Sequence, residues 1–312
     1  MAGDCCPTAI RRSLPKPRVG PDTIPVRMTP PRLLPALITP FDRAGEIDLA
    51  AHRHNLTTLW ERGIKGFLIA GSTGEGPYLE TGERQILVKE ARKRLGRKAY
   101  ITCGISAETE RQAVAMISEA ADAKADSALV ITPTTLTRGR MNYVEAFYRD
   151  LADDSPLPLL LYSVPGVTAF ELPEDSIARL AEHPRIIGIK DSGGHPVRMQ
   201  RMIASVPEDF IVFTGATQAI TLAVAAGAYG AITASTNYIP EKVLETVISA
   251  RRSANKARQS QQEISRISAA VEAHGIPGVK AAAAAAGLQP GHPRLPLSSL
   301  PEPESGRLRA LV

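Results

Sequence analysis

The feature that most constrains this chain is the regular return of short, almost continuously apolar runs, each followed by an amphipathic segment. The runs are "LLPALIT" (33–39), "GFLIAG" (66–71), "AYITCGI" (99–105), "ALVITP" (128–133), "PLLLYSV" (158–164), "IIGIKDS" (186–192), "FIVFTG" (210–215) and "GAITAST" (230–236). A strand with one wet face alternates apolar and polar residues, whereas a strand covered on both faces does not. These runs therefore read as buried parallel strands. Between them lie helical patterns. Asp48 can cap "LAAHRHNLTTLWERG", "TGERQILVKEARKRLG" ends at Gly96, and "TERQAVAMISEAADAKA" has apolar positions at helical spacing. Eight strand–helix units predict a (β/α)8 TIM barrel. A doubly wound open sheet is the rival, and the count of eight favours the closed cylinder. Residues 240–286 read as two or three extra C-terminal helices.

The chain of 312 residues, 44% hydrophobic, is long enough for one such barrel. We expect residues 1–28 to be a flexible N-terminal extension, with Met28 an alternative start. Residues 29–290 form the barrel and its helices, and 291–312 a Pro-rich tail that wraps the surface or frays. The net charge is +5, much of it local: Arg11, Arg12, Lys16, Arg18 and Arg27 face only Asp4 and Asp22 in the extension. Aromatics are 4% and no basic stripe runs between them, so nucleic acid is not expected as a partner. No run of 18 apolar residues predicts a membrane span, and the N-terminus lacks the apolar centre of a secretory signal. The three cysteines, Cys5, Cys6 and Cys103, have no disulfide or zinc spacing, which fits a reducing cytoplasm. The histidines are scattered, without HExxH or a cysteine partner, so no metal is expected. His52 and His54, on a predicted outer helix, read as solvent-facing.

A (β/α)8 barrel carries its chemistry where strands end and βα loops begin. Three unusual stretches fall there: "GSTGEGPY" (71–78), "YSVPGVT" (162–168) and "GIKDSGG" (188–194). Lys190 stands inside an apolar run. Burial lowers an amine's pKa, and a neutral amine attacks carbonyl carbon to form a Schiff base. The alternative is a lysine that keeps its head in water or pairs with Asp191. Tyr162, at the end of the preceding run, offers a phenol for proton transfer, or is a core tyrosine with a backbone partner. "GSTGE" can cradle an anion with backbone N–H groups and the hydroxyls of Ser72 and Thr73, or is only a tight turn.

Taken together and in order, "GSTGE", "YSVP" and "GIKDSGG" resemble the dihydrodipicolinate synthase / N-acetylneuraminate lyase family of class I aldolases, over about Leu33 to Pro290. Within it, "LLYSVP", "GIKDSGG", "RGRM" (138–141) and "GIPGVK" (275–280) look most like 4-hydroxy-2-oxoglutarate aldolase. The resemblance implies Lys190 as the Schiff-base lysine and Tyr162 as the proton shuttle. It implies Ser72, Thr73 and Ser192 as substrate-binding residues, with Gly215 and Ser235 as pocket wall. It further implies cleavage of a 4-hydroxy-2-oxo acid to pyruvate and an aldehyde, with 4-hydroxy-2-oxoglutarate giving pyruvate and glyoxylate as the leading case. The alternatives are a synthase-type condensation, a 2-keto-3-deoxy sugar acid aldolase or dehydratase on the same iminium, or a barrel that binds a 2-oxo acid without turning it over. No cofactor beyond the lysine Schiff base is implied, and the family's habit is a homotetramer or dimer.

The sequence departs from the family pattern at three places. Val167 stands where the synthases usually carry an arginine, and Pro133 is followed by Thr134, Thr135 and Leu136 rather than a tyrosine pair. The hydroxyl of Thr134 or Thr135 is the available substitute for the missing ring. Ala169 replaces the glycine expected after "VT".

Overall fold

A computed structural model describes residues 28–312. The expectation for residues 1–28, and with it Cys5 and Cys6, lies outside the described residues except for Met28. In chain order the elements are β1 (Leu33–Pro35), α1 (Leu49–Glu61), β2 (Gly66–Ile69), α2 (Glu83–Leu95), β3 (Tyr100–Ile105), α3 (Glu110–Asp122), β4 (Ser127–Ile131) and α4 (Met141–Asp154). There follow β5 (Leu159–Ser163), the single turn α5 (Pro165–Thr168), α6 (Glu174–Ala181), β6 (Ile186–Asp191), α7 (Pro196–Ser205), β7 (Ile211–Thr214), α8 (Ile220–Ala225) and β8 (Gly230–Thr233). The C-terminal part is α9 (Pro240–Ser249), α10 (Ala254–Glu272), α11 (Gly275–Ala285) and α12 (Glu302–Arg309).

The eight strands are parallel, each beside its sequence neighbour, with β1 also paired to β8. Between β1 and β2 the cylinder closes through a bridge of Ala36 to Leu68 and the Leu37 N–H donating to the Leu68 carbonyl at 2.9 Å. This is the (β/α)8 TIM barrel with extra C-terminal helices. Its apolar residues divide into two layers because successive side chains on a strand point to opposite faces. Leu34, Leu68, Tyr100, Leu129, Leu160 and Phe213 belong to the smaller cluster inside the cylinder. Ile69, Ile101, Val130, Leu161 and Ile189 join the larger cluster beneath the helices. Doubly buried strands explain the continuous apolar runs. Helix ends follow local chemistry as well. The Asp48 carboxylate accepts from the Ala51 N–H at 2.9 Å, the Thr109 hydroxyl from Gln112 N–H at 3.3 Å, and Gly96 takes a φ of 68° to end α2.

Two expectations are corrected, and one left open between two outcomes is decided. The first run is a strand only over Leu33–Pro35, because its next residues leave β8 and turn to β2 to close the barrel. His52 is not solvent-facing: it is 1% exposed, wedged between α1 and α2 with Nε2 3.2 Å from the Leu87 carbonyl, whereas His54 is exposed. Residues 291–312 do not fray. Arg294 is clamped by Glu83 at 2.6 and 2.7 Å, by the Gly45 and Tyr78 carbonyls, and by the Phe41 ring 4.2 Å away; α12 then buries Leu308. No helix among the described residues is long and apolar enough to cross a membrane.

Candidate active site

Lys190 occupies the next-to-last position of β6, and parallel register sets it directly beside Tyr162 on β5. Both side chains enter the cylinder and both are 5% exposed. The Lys190 amine donates to the Tyr162 hydroxyl at 3.4 Å and lies 4.5 Å from the centre of its ring. The alternative partner, Asp191, points to the opposite face of β6. There it pairs with Arg198 at 3.1 Å and accepts from the Gly193 N–H at 3.0 Å. Strand alternation therefore keeps Asp191 away from Lys190, whose amine lies in a cavity.

That cavity, of about 770 Å³, opens at the C-terminal end of the barrel. Six of the seven residues singled out from the sequence line it: Lys190, Tyr162, Ser72, Thr73, Ser192 and Gly215. Among the described residues the hydroxyls of Ser72 and Thr73 have no hydrogen-bond partner, so both are available to a ligand. Gly215 marks a close approach. A Cβ there would stand 2.8 Å from Lys190 Cε and closer still to Ser192 Oγ, so only glycine leaves room for the amine.

Ser235 is the exception and is corrected here. It is fully buried behind the wall, where its Oγ lies 2.9 Å from Thr217 Oγ1, and Ala234 borders the cavity in its place. Thr134 and Thr135 do not border it either; their N–H groups donate to Glu108 at 3.1 and 2.9 Å. Val167, 61% exposed, lines the mouth.

The sequence reading missed Thr217, Gln218 and Glu272, which line the outer part of the cavity. Glu272 Oε1 accepts from Tyr238 Oη at 3.0 Å and Thr217 Oγ1 at 3.1 Å. Burial pushes its carboxyl upward against these bonds and against the charge of Lys190. Its position three residues before "GIPGVK" was the available clue, as was that of Thr217 just past "FIVFTG". Apart from Lys190, Glu272 is the only formally charged residue lining this cavity among the described residues. Among the described residues no cluster of three His, Cys, Asp or Glu could hold a metal ion.

Carbonyl chemistry is what this arrangement suits: a buried amine, a phenol within reach of it, and two free hydroxyls opposite. Comparison with known proteins points the same way. The model of the dihydrodipicolinate synthetase family matches residues 29–312. A 4-hydroxy-tetrahydrodipicolinate synthase of Xanthomonas campestris pv. campestris is 32% identical over 292 residues, covering 89% of this chain and 93% of the relative. One from Methanoculleus marisnigri is 33% identical over 288 residues, covering 90% and 97%. Among solved structures, the chloride-inhibited dihydrodipicolinate synthase of Acinetobacter baumannii complexed with pyruvate superposes with a TM-score of 0.85 at 28% identity, covering 91% of this chain and 98% of that one. YagE of E. coli K12, a prophage protein of the same family in complex with pyruvate, gives 0.84 at 25%, covering 89% and 96%.

Proposed function

Since the chain belongs to the dihydrodipicolinate synthetase family, we propose that it is a class I aldolase that makes or breaks the C3–C4 bond of a 4-hydroxy-2-oxo acid through a Schiff base at Lys190. The observation that carries the reading is the 3.4 Å contact between the Lys190 amine and the Tyr162 phenol inside a cavity bordered by Ser72 and Thr73.

The 2-oxo acid enters with its carboxylate toward the hydroxyls of Ser72 and Thr73. The Lys190 nitrogen attacks C2, and the carbinolamine loses water with Tyr162 supplying the proton. The iminium then draws electrons. Tyr162 takes the proton of the C4 hydroxyl, the C3–C4 bond breaks, and its electron pair becomes the enamine. The aldehyde leaves, C3 is reprotonated, and water releases pyruvate from Lys190. Condensation runs the same steps backwards. Ser192 contacts the substrate, and Gly215 keeps the path to the amine open. No metal or organic cofactor is needed for these steps.

Two readings of the aldehyde are each backed by an observation. The names of the relatives support a synthase-type condensation. The stretches "RGRM" and "GIPGVK" support the cleavage, with glyoxylate as the first co-product to check, while Val167 at the mouth, with no arginine or histidine lining the cavity among the described residues, favours an aldehyde without a second anionic group. Borohydride with pyruvate tests the shared chemistry: a covalent mass gain on Lys190 is expected, and its absence would refute the proposal. Pyruvate release from 4-hydroxy-2-oxoglutarate and from 2-keto-3-deoxy sugar acids, against formation of 4-hydroxy-tetrahydrodipicolinate, then decides the aldehyde.

A further inference from the structure

The motif "GSTGE" supplies Ser72 and Thr73, but its glutamate faces the other way. Glu75 is 1% exposed and adopts a left-handed φ of 57°, which is costly for a residue with a Cβ unless its surroundings hold it there. Its Oε1 lies 2.6 Å from the amine of Lys280, itself 3% exposed, and its Oε2 accepts from the Arg294 N–H at 2.7 Å. The Lys280 amine also donates to the His292 carbonyl at 2.6 Å and lies 5.0 Å from the centre of the Phe41 ring.

Lys280 belongs to α11, the helix whose Gly275, Ile276 and Val279 line the cavity. The pair therefore ties the turn that carries Ser72 and Thr73 to a second element lining the same cavity. The turn has little slack of its own. A Cβ at Gly74 would meet the Leu37 carbonyl at 2.6 Å, the Thr39 hydroxyl donates to the Gly74 carbonyl at 2.6 Å, and the Glu75 N–H donates to the Ser72 carbonyl at 3.0 Å.

We propose that the buried Glu75–Lys280 pair positions the Ser72–Thr73 turn against α11 and so fixes the cradle for the substrate carboxylate. Stability alone is a poor reason for such a pair, because removing two charges from water costs about as much as their attraction returns. Burial indeed pushes the Lys280 amine down to about 8 in spite of Glu75. What a buried pair does supply is direction: each charge has one place to go, and the backbone that carries it must follow. Glu75 and Lys280 touch no substrate in this arrangement and are positioning residues. The proposal rests on the Schiff-base reading above.

The test is the pyruvate concentration that half-saturates borohydride trapping at Lys190, measured beside thermal stability in the full-length protein. Glu75→Gln/Lys280→Met removes both charges at once, so neither is left buried alone, and the glutamine can still accept from Arg294. The half-saturating concentration should rise on the order of tenfold, as expected for a weakened hydrogen bond to a carboxylate. The maximal trapped fraction should stay near that of the wild type. Should the double variant not fold, Glu75→Asp keeps both charges but draws the turn by one methylene, and the same rise is expected. An unchanged half-saturation in a folded variant, whatever its melting temperature, overturns the proposal while leaving the Schiff base intact. Failure of the wild type itself to form an adduct overturns both.

Discussion

At the scale of single residues, the chemistry depends on which face of a strand a side chain takes. Lys190 and Asp191 are adjacent in sequence, yet one enters the cylinder and the other pairs with Arg198 outside it. Lys190→Ala should abolish both turnover and borohydride trapping. Tyr162→Phe should lower kcat by roughly 10²–10⁴, the usual contribution of one general acid–base group, while still forming some adduct. Equal activity of either variant and the wild type on every 2-oxo acid tested would remove the basis of the mechanism. His52 makes a separate prediction. Burial lowers its pKa from 6.5 to about 4 in the folded chain. Below pH 6.5 the unfolded chain takes up a proton there that the folded chain refuses until about pH 4, so the contribution is intact above 6.5 and is lost through this window. The loss is about 3 kcal/mol at its fullest. Denaturant unfolding at pH 7 and pH 4 should show a smaller acid loss in His52→Gln, by about that amount.

At the scale of elements, the ends of β2, β5, β6, β7 and β8 and the α10–α11 segment each deliver a piece of the site, and the close contacts between pieces decide whether it works. The end of β7 illustrates this, because Gly215 leaves room for the Lys190 stem and Ser192 that no other residue would leave. Gly215→Ala should cut adduct formation at least tenfold with a modest change in melting temperature, since a misplacement of about 1 Å at a reacting group costs up to 10²-fold. Trapping at the wild-type rate would show that the neighbours yield. Much of the element pattern was readable in advance. The eight apolar runs, the Asp48 cap and the Gly96 stop follow from local rules that need no knowledge of partners. His52 was misread because α1 and α2 pack together and cover a face that the pattern of α1 alone left open. Ser235 was misread because the turn after β8 rotates its hydroxyl behind the wall, toward Thr217.

At the scale of the whole molecule, the last twenty or so residues lock loops at the C-terminal end of the barrel. Arg294 joins the loop after β1, the start of α2 and the ring of Phe41, and the Arg294 guanidinium holds the Glu83 carboxyl below its usual range. Arg294→Ala should cost about 2–3 kcal/mol in chemical denaturation, the scale of a charged hydrogen-bonded group lost from a half-buried site. A loss below 0.5 kcal/mol would mean the tail is only laid over the surface. The sequence by itself determined buried parallel strands, because doubly covered strands must be apolar throughout, favoured the barrel through their count of eight, and singled out the lysine, the tyrosine and the serine–threonine turn as anomalies at strand ends. Only the tertiary structure decided that Lys190 and Tyr162 are register neighbours 3.4 Å apart, that Glu272 enters the cavity, and that Glu75 finds Lys280. Those facts depend on how eight separate units close on one another. Contacts between residues so far apart along the chain exist only once the cylinder has formed.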